Sequence, residues 1–514
     1  MTFGTEYFLQ QLPDNFAKVI PSYEVDDISD DGVDTELHRP RVKSAVEKKQ
    51  EMFHLMTTEA LITSSLHGNF TILQSDFRSF GPSMPHLTVT GALSFLGVSQ
   101  DWLDFFRAYL QPRLHFIEEE PNAQKYRRKN GLPISYSITD FLGEIVLFPL
   151  DFAVKRATGR NLYQVHDDIW FWGTREATQK TWEVLSQFAT TVGLNLNMEK
   201  RGHANVLHGT ASSDRVPLLP SGNLKWGFLE LQSNGTWTMD PSKLNKHIED
   251  LQHQLSTCKS DLAWIHTWNA YVARFMATNM GIPAKCLGKA HVEMVILAFR
   301  KIQESLAATK EGHNTFADTL KARLKDNLKT SGTASTPDEL LYFPIELGGL
   351  GLRNPVIPLM LIKNRIAEHP YEIIDRVVQK AKTQYDQTLE EHGKGYNNAS
   401  IRALRRGNGT FPSWEEVRKN MENTSKDLHT AYMNLLSRPD HQRVQLNFKN
   451  THKAMEQLPD DVKKGWERDP YWRKVIQIYG EDIIREFGGL VLADKNLLPL
   501  GLMSMLRSQR VKWQ

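Results

Sequence analysis

Cysteine is scarce in this chain, because only Cys258 and Cys286 occur among 514 residues. Two cysteines exclude a disulfide framework and a cysteine-built zinc site, and they favour a reducing compartment. Long apolar runs are also missing, since the longest, at 141–154, is interrupted by two acidic residues and a proline. We therefore predict no transmembrane helix and no membrane partner. The N-terminus lacks a basic region followed by an apolar core, so we predict no signal peptide and a nuclear or cytoplasmic location.

An excess of charge of one sign is absent too. The 62 basic and 60 acidic side chains leave a net charge of +2. Any affinity for nucleic acid must therefore come from local basic patches. The hydrophobic share of 40% and the charged share of 24% are those of a folded globular protein. At this length the prior is roughly two to four domains.

The chain is organised around an adjacent carboxylate pair, Asp167 and Asp168. Four Asp-Asp pairs occur, and this pair alone has strand-like flanks on both sides, at 162–165 and 169–172. The pattern predicts a tight β-hairpin with two carboxylates at its turn. Carboxylates held at a rigid turn suit hard divalent cations such as Mg²⁺ or Mn²⁺. A solvated turn is the alternative interpretation.

The surrounding sequence predicts an α+β layer, an antiparallel sheet with helices on one face. Asp76 lies near the end of the first predicted strand, so we expect it and the 167–168 pair to end adjacent strands. The predicted elements are helices at 44–67, 101–111, 138–157 and 174–192, strands at 70–77 and 114–117, a polar loop at 118–130, hairpins at 162–172 and 226–237, and a short strand and turn at 194–200. Beyond 240 the pattern is mostly helical, with a helix that Asp240 caps and a polar stretch at 306–338 that is linker-like near 330–333.

In chain order, several segments resemble the motifs of a reverse-transcriptase palm, over about residues 70–235. They are Asp-Phe-Arg-Ser-Phe-Gly-Pro-Ser-Met-Pro-His at 76–86, Gly-Leu-Pro at 131–133 before a long helix, Val-His-Asp-Asp at 165–168, Gly-Leu-Asn-Leu-Asn at 193–197 with Lys200, and Trp-Gly-Phe-Leu at 226–229. The Gly-Gly-Leu-Gly-Leu-Arg-Asn-Pro stretch at 348–355 and the helical end are most similar to the domesticated, single-copy reverse-transcriptase-like proteins of fungi, the rvt group.

The resemblance implies a right-hand palm followed by a helical thumb and a helical C-terminal region. The implied domains are a loose acidic N-terminus at 1–36, reduced fingers at 37–69, the palm at 70–239, the thumb at 240–330 and a mostly helical extension at 331–514. Since 75 residues precede Asp76 and a full set of fingers is normally longer, we expect either reduced fingers or a truncated start.

The resemblance also implies a template- or primer-dependent nucleotidyltransferase that uses two Mg²⁺ or Mn²⁺ ions. It would add nucleoside triphosphates to the 3′-hydroxyl of an RNA or DNA partner, or to a protein hydroxyl. The implied metal ligands are Asp76, Asp167 and Asp168, and Lys200 is the implied catalytic partner of the triphosphate. The implied nucleotide-binding residues are Phe77, Phe80, Gly81, Arg39, Arg41, Gly131 and Pro133. The candidates for contact with nucleic acid are Lys125, Arg127, Arg128, Lys129, Trp226 and Gly227.

Two departures from the family pattern affect the expected activity. Gly81 stands where the family usually has a bulky aromatic that excludes a ribose 2′-hydroxyl, which predicts tolerance of ribonucleotides; a register shift that places Phe80 there is the alternative. Ile134 and Ser135 replace residues that contact the nucleotide and template, which puts templated fidelity in doubt. A catalytically silent palm that binds RNA or acts as a scaffold is therefore the alternative function, and a transposon remnant is a third.

Overall fold

A computed structural model describes most of the chain. The described residues are 45–114, 126–133, 137–165, 167–208, 218–307, 315–328, 337–396, 401, 411–446, 449–456, 458, 463 and 469–493. Arg39, Arg41, Lys125, Ile134 and Ser135 lie outside them, so the predictions that rest on these five residues stay predictions.

The first half of the chain combines helices with short strands. Its helices are α1 (Ala45–His67), α2 (Phe80–Ser83), α3 (His86–Phe95), α4 (Gln100–Leu110), α5 (Ser137–Thr158) and α6 (Arg175–Val192). Its strands are β1 (Asn69–Asp76), β2 (Arg113–Leu114), β3 (Tyr126–Arg127), β4 (Tyr163–Val165), β5 (Asp168–Gly173), β6 (Gly202–Leu207), β7 (Lys225–Trp226), β8 (Leu229–Leu231) and β9 (Trp237–Met239). This part of the chain is therefore α+β, as predicted.

The remainder of the described chain is helical. Its α-helices are α7 (Pro241–Thr257), α8 (Asp261–Ala270), α9 (Ala277–Asn279), α10 (Gly288–Ala307), α11 (Phe316–Leu328), α12 (Asp338–Tyr342), α13 (Val356–Ile362), α14 (Tyr371–Gly393), α15 (Trp414–Thr424), α16 (Lys426–Leu436), α17 (Lys449–Glu456) and α18 (Pro470–Phe487). A π-helical turn spans Tyr271–Met276, and 3₁₀ turns span Lys285–Leu287, Ile345–Leu347 and Lys363–Arg365. None of the described helices combines the length and apolar composition that a membrane span requires.

The chain divides into two compact units. Among the described residues, the first unit comprises Glu59–Lys225 and Leu231–Thr236. The second comprises Trp226–Glu230 with residues 45–58 and 237–493. The division into palm, thumb and extension, and the right-hand arrangement, stay predictions.

The first unit is built on a four-stranded antiparallel sheet in the order β4-β5-β1-β6. Side chains alternate between its faces. Leu73, Ile169 and Phe171 share one hydrophobic core with residues of helices α3 to α6, among them Leu93 and Leu150. The predicted layer of helices against this face is therefore confirmed. The opposite face is covered as well, because the Trp172 Nε1–H donates to the Glu59 carboxylate of α1 at 2.7 Å and β1 is buried on both faces.

Two predictions near this sheet need correction. The short strand and turn predicted at 194–200 keeps its turn, but the strand is reduced to a single bridge between Leu196 and Phe77; the fourth strand of the sheet is β6. The Leu-Asn-Leu-Asn alternation imitates a strand, whereas Gly202–Leu207 has weak strand propensity and gains its place from pairing with β1. The predicted loop at 118–130 includes strand β3, which pairs with β2.

The second unit buries long helical stripes. Leu244, Ile248, Leu251 and Leu255 of α7 are buried in its largest core, and Asp240 caps that helix as predicted. The residues predicted to be linker-like, 330–333, lie outside the described residues. The polar stretch before them contains α11, in which Leu320 and three neighbours on its face are buried. Its polar residues outnumber its apolar ones, and the apolar ones form one stripe.

The segment at 348–355 connects several helices of the second unit. The Gly351 N–H donates to the Phe343 carbonyl at 2.8 Å, and the Asn269 amide donates to the Gly351 carbonyl at 2.9 Å. The Arg353 guanidinium lies over the rings of Tyr471 and Trp472, at 4.7 and 4.4 Å from their centroids. Gly348 and Gly351 have left-handed φ values of 93° and 65°, and a Cβ at Gly349 would collide with the Phe343 carbonyl, so the glycines and the arginine of this motif have structural roles.

Candidate active site

The candidate active site lies where two central strands of the first unit meet. Asp76 is the last residue of β1, and Asp168 is the first residue of β5. The antiparallel register places these residues opposite each other. The prediction that Asp76 and the 167–168 pair end adjacent strands is therefore confirmed.

The end of β1 is fixed by backbone hydrogen bonds to the segment after α6. The Asn197 N–H donates to the Asp76 carbonyl at 2.8 Å, and the Arg78 N–H donates to the Asn195 carbonyl at 2.8 Å. Gly193 ends α6 in a left-handed conformation (φ 74°), which turns the chain back towards β1. The local sequence thus brings residues 195–200 to the buried carboxylate.

The Asp76 side chain is buried, with 1% of the residue exposed. Its Oδ2 atom accepts a hydrogen bond from the Asn197 amide at 3.2 Å and lies 2.9 Å from Lys200 Nζ. Its Oδ1 atom is buried and has no hydrogen-bond partner among the described residues. One carboxylate oxygen is therefore neutralised by the lysine, while the other is free to accept a ligand.

Lys200 reaches this carboxylate from the surface. Its side chain is 61% exposed, so water solvates much of it. The pKa of Lys200 is raised, chiefly by its hydrogen bond to Asp76; partial burial opposes the rise, and the charges of Asp76, Asp168 and Asp167 add to it. Lys200 therefore stays protonated at neutral pH, and its ammonium group faces three carboxylates.

Asp167 and Asp168 are half-buried at the β4–β5 turn. Oxygen donors of this kind suit Mg²⁺ or Mn²⁺, and Asp76 Oδ1 is an open acceptor. However, the described residues include no group of three His, Cys, Asp or Glu side chains placed to hold a metal ion. The Lys200 ammonium group occupies Asp76 Oδ2, so a divalent cation that bound this oxygen would have to replace the lysine.

The turn after β1 separates the two candidates for the sugar gate. Ser79 adopts a left-handed conformation (φ 52°), which redirects the chain into α2. The Phe80 ring packs 5.6 Å from the ring of Phe77, which is itself buried in the helical core. Gly81 has open space where a Cβ would lie. The inward packing of Phe80 favours Gly81 over Phe80 as the gate position.

Gly131 is held against this turn by its backbone. Its N–H donates to the Met84 carbonyl at 2.8 Å, and His86 Nε2 lies 3.0 Å from the Gly131 carbonyl. The left-handed conformation (φ 96°) and the nearby Pro82 carbonyl exclude a side chain at Gly131. Pro133 is half-buried beside it. The sequence-predicted neighbours of the nucleotide thus converge beside the end of β1.

The candidate nucleic-acid residues have different surroundings. Arg127 and Lys129 are exposed and Arg128 is half-buried on and after β3. In the second unit, Trp226 is 3% exposed, stacks 5.2 Å from Phe53 and has the Lys49 ammonium 5.6 Å from its ring. The Trp226 ring is therefore buried and is not exposed for stacking against a nucleic-acid base.

Gly227 has a structural reason for lacking a side chain. Its φ of 57° is left-handed, and a Cβ there would collide with the Asn279 carbonyl. That carbonyl accepts a hydrogen bond from the Phe228 N–H at 2.8 Å. The sequence interpretation missed Asn197, whose side-chain amide donates to Asp76 Oδ2. Asn197 lies in a quoted motif, yet sequence spacing does not show which neighbour an amide contacts.

No protein-family model and no curated protein sequence matches this chain. Several solved telomerase structures show a weak similarity. Apo telomerase from Candida tropicalis matches with a TM-score of 0.28 and 12% identity, over 56% of this chain and 55% of the telomerase chain. Telomerase from Candida albicans in complex with a fragment of telomeric RNA matches with a TM-score of 0.28 and 10% identity, over 55% and 51%. This chain thus aligns with about half of each telomerase, and the similarity is too low to support an inference.

Proposed function

We propose that this chain is a reverse-transcriptase-like nucleotidyltransferase, which adds nucleoside triphosphates to a 3′-hydroxyl on an RNA or DNA partner. The supporting observation is the placement of Asp76 opposite Asp168 at the strand ends, with Asp76 buried and its Oδ1 open. A buried carboxylate with an open oxygen costs free energy unless a cation or donor completes it. A catalytic role would explain why the chain has a carboxylate at this unfavourable buried position.

The charged groups at the site suit phosphoryl transfer, which requires positioning and charge neutralisation. Asp76, Asp168 and Asp167 are the residues that we expect to hold Mg²⁺ or Mn²⁺ after Lys200 releases Asp76 Oδ2. A released Lys200 would supply the proton or the charge-assisted hydrogen bond that a departing pyrophosphate accepts. The exchange of Lys200 between carboxylate and phosphate is the central feature of this proposal.

Gly81 sets the expected sugar preference. Open space at its Cβ position leaves nothing to exclude a ribose 2′-hydroxyl from that side. We therefore extend the proposal to the use of ribonucleotides as well as deoxyribonucleotides.

Membership of the fungal rvt group also stays a proposal, because it rests on the motif at 348–355, whose contacts are structural.

The test is incorporation of labelled nucleotides by the purified protein, with Mn²⁺ or Mg²⁺ and with ribo- and deoxyribonucleotides offered separately. The variant Asp167→Ala should abolish incorporation. The control variant Asp140→Ala, which removes an exposed carboxylate from α5, should keep it. Equal incorporation by both variants would show that the activity does not come from this site.

A catalytically silent palm that binds RNA is the second candidate. It is favoured by the absence of a three-ligand metal group among the described residues and by the Lys200–Asp76 ion pair, which neutralises the site without metal. The silent palm predicts RNA binding that Asp167→Ala leaves unchanged, with no incorporation of either sugar. The incorporation assay and an RNA-binding titration on the same variants therefore separate the two functions.

A further inference from the structure

A cavity of about 840 Å³ lies in the first unit, on the side of residues 194–201 that faces α6. One wall is formed by Trp182 and Ser186 of that helix, and the other by residues of the segment that includes Asn197. The volume falls in the range typical of small-molecule sites, roughly 300–1,000 Å³. Two of the quoted motifs contribute to its lining, with Arg78 and with residues 194–197, but neither the motifs nor the proposed function assigns a ligand to this cavity.

The charged residues that line the cavity are mainly basic. Arg78 and Arg201 both line the cavity, and within the described part of the chain neither guanidinium forms an ion pair with a carboxylate. The Arg201 guanidinium lies 5.6 Å from the centre of the Trp182 ring, which holds it against the wall. One acidic residue, Glu199, is also in the lining, so the formal charge there is positive.

We propose that this cavity binds the phosphate of a nucleotide. A planar guanidinium matches phosphate oxygens with two parallel hydrogen bonds, and two such groups can hold one phosphate chain. The Ser186 hydroxyl offers a further donor on the opposite wall. The choice of a nucleotide among organic phosphates rests on the proposed function, whereas the choice of a phosphate rests on the arginines.

The cavity and the candidate active site share Asn197. This residue lines the cavity, and its amide donates to Asp76 Oδ2 while its N–H donates to the Asp76 carbonyl. A phosphate held by Arg201 would therefore touch the same short segment that positions Lys200. The site lies beside the candidate catalytic carboxylates without using any of them.

The test is equilibrium binding to the full chain in EDTA, so that no divalent cation contributes. The probes are a nucleoside triphosphate, a short single-stranded oligonucleotide and inorganic triphosphate. Arg78→Gln and Arg201→Gln should each weaken binding about tenfold, as expected for loss of a charge-assisted contact. Arg156→Gln, an exposed arginine of α5 outside the cavity, is the matched control and should have no effect.

The outcomes distinguish the source of the phosphate. Arginine-dependent binding of the nucleoside triphosphate identifies a free nucleotide, and arginine-dependent binding of the oligonucleotide identifies a strand; either supports the site. Inorganic triphosphate bound as tightly as the nucleotide would overturn the nucleotide assignment. Binding that is insensitive to both cavity variants would overturn the site itself. Arginine-dependent binding without nucleotide incorporation would support the cavity and reject only the proposed catalysis.

Discussion

Replacing Lys200 with Met tests whether this lysine stabilises the metal-free site. The substitution leaves Asp76 with the Asn197 amide, 3.2 Å from Oδ2, as its described side-chain partner. Breaking a fully buried ion pair costs about 3–5 kcal/mol, while an exposed pair is worth about 0–1 kcal/mol. Because Asp76 is buried and the Lys200 side chain is 61% exposed, we expect a loss of about 1–2 kcal/mol.

The assay is thermal unfolding in EDTA, followed by a probe of the first unit. The transition should shift down by roughly 2–4 °C for each kcal/mol. Lys200→Arg, which keeps the positive charge, is the matched control and should recover most of the loss. Asp76→Asn combined with Lys200→Met should remove the penalty, because the double variant has no buried charge without a partner.

Added Mn²⁺ completes this test. In the wild-type protein the cation must displace the Lys200 ammonium from Asp76, whereas in Lys200→Met it meets an open carboxylate. Mn²⁺ should therefore raise the unfolding temperature more in the variant than in the wild type, and not at all in Asp76→Asn. A variant as stable as wild type in EDTA, with the same response to Mn²⁺, would refute the view that Lys200 and a divalent cation compete.

Three further predictions concern other parts of the chain. His54 and His291 are buried with pKa values lowered from 6.5 to about 4 by desolvation, so the unfolded chain binds protons that the fold does not. Stability should fall by up to about 3 kcal/mol for each histidine as the pH drops from 6.5 to 4, and urea midpoints that stay constant over that interval would contradict this. Gly227→Ala should cost at least about 2 kcal/mol, through left-handed backbone strain and collision with the Asn279 carbonyl, and chemical denaturation would measure it. Gly81→Tyr should depress ribonucleotide incorporation selectively, and an equal loss with both sugars would count against a gate at this position.

The sheet and its carboxylates were predictable because local patterns determine them. Short runs of apolar and β-prone residues before Asp76 and on both sides of the 167–168 pair specify strands, and the tight turn fixes the hairpin register. Asp168 then lies opposite Asp76 as a consequence of antiparallel pairing with β1. Local patterning therefore predicted this part of the site.

The remaining features depend on contacts that no local pattern records. Strand β6 has weak propensity and forms through its pairing with β1, while the strand-like segment at 194–200 is instead drawn to the end of β1 by Asn197. The Lys200–Asp76 ion pair joins residues 124 positions apart (200 minus 76). Helix α11 shows only a narrow apolar stripe among polar residues. Each of these features is determined by contacts between residues that are far apart in the sequence.

The surroundings of Asp76 limit what this site can be. A carboxylate that is 1% exposed, with one oxygen lacking a partner in the described part of the chain, is an unfavourable arrangement for a merely structural residue, because an apolar side chain of similar volume would avoid the desolvation cost. Asn197 and Lys200 compensate only the other oxygen. An exposed lysine is also easily displaced, since water can solvate its ammonium group when the contact breaks. The arrangement therefore favours a site that exchanges its positive partner over one that keeps a permanent ion pair, which is the behaviour that the Lys200→Met and Mn²⁺ experiments test.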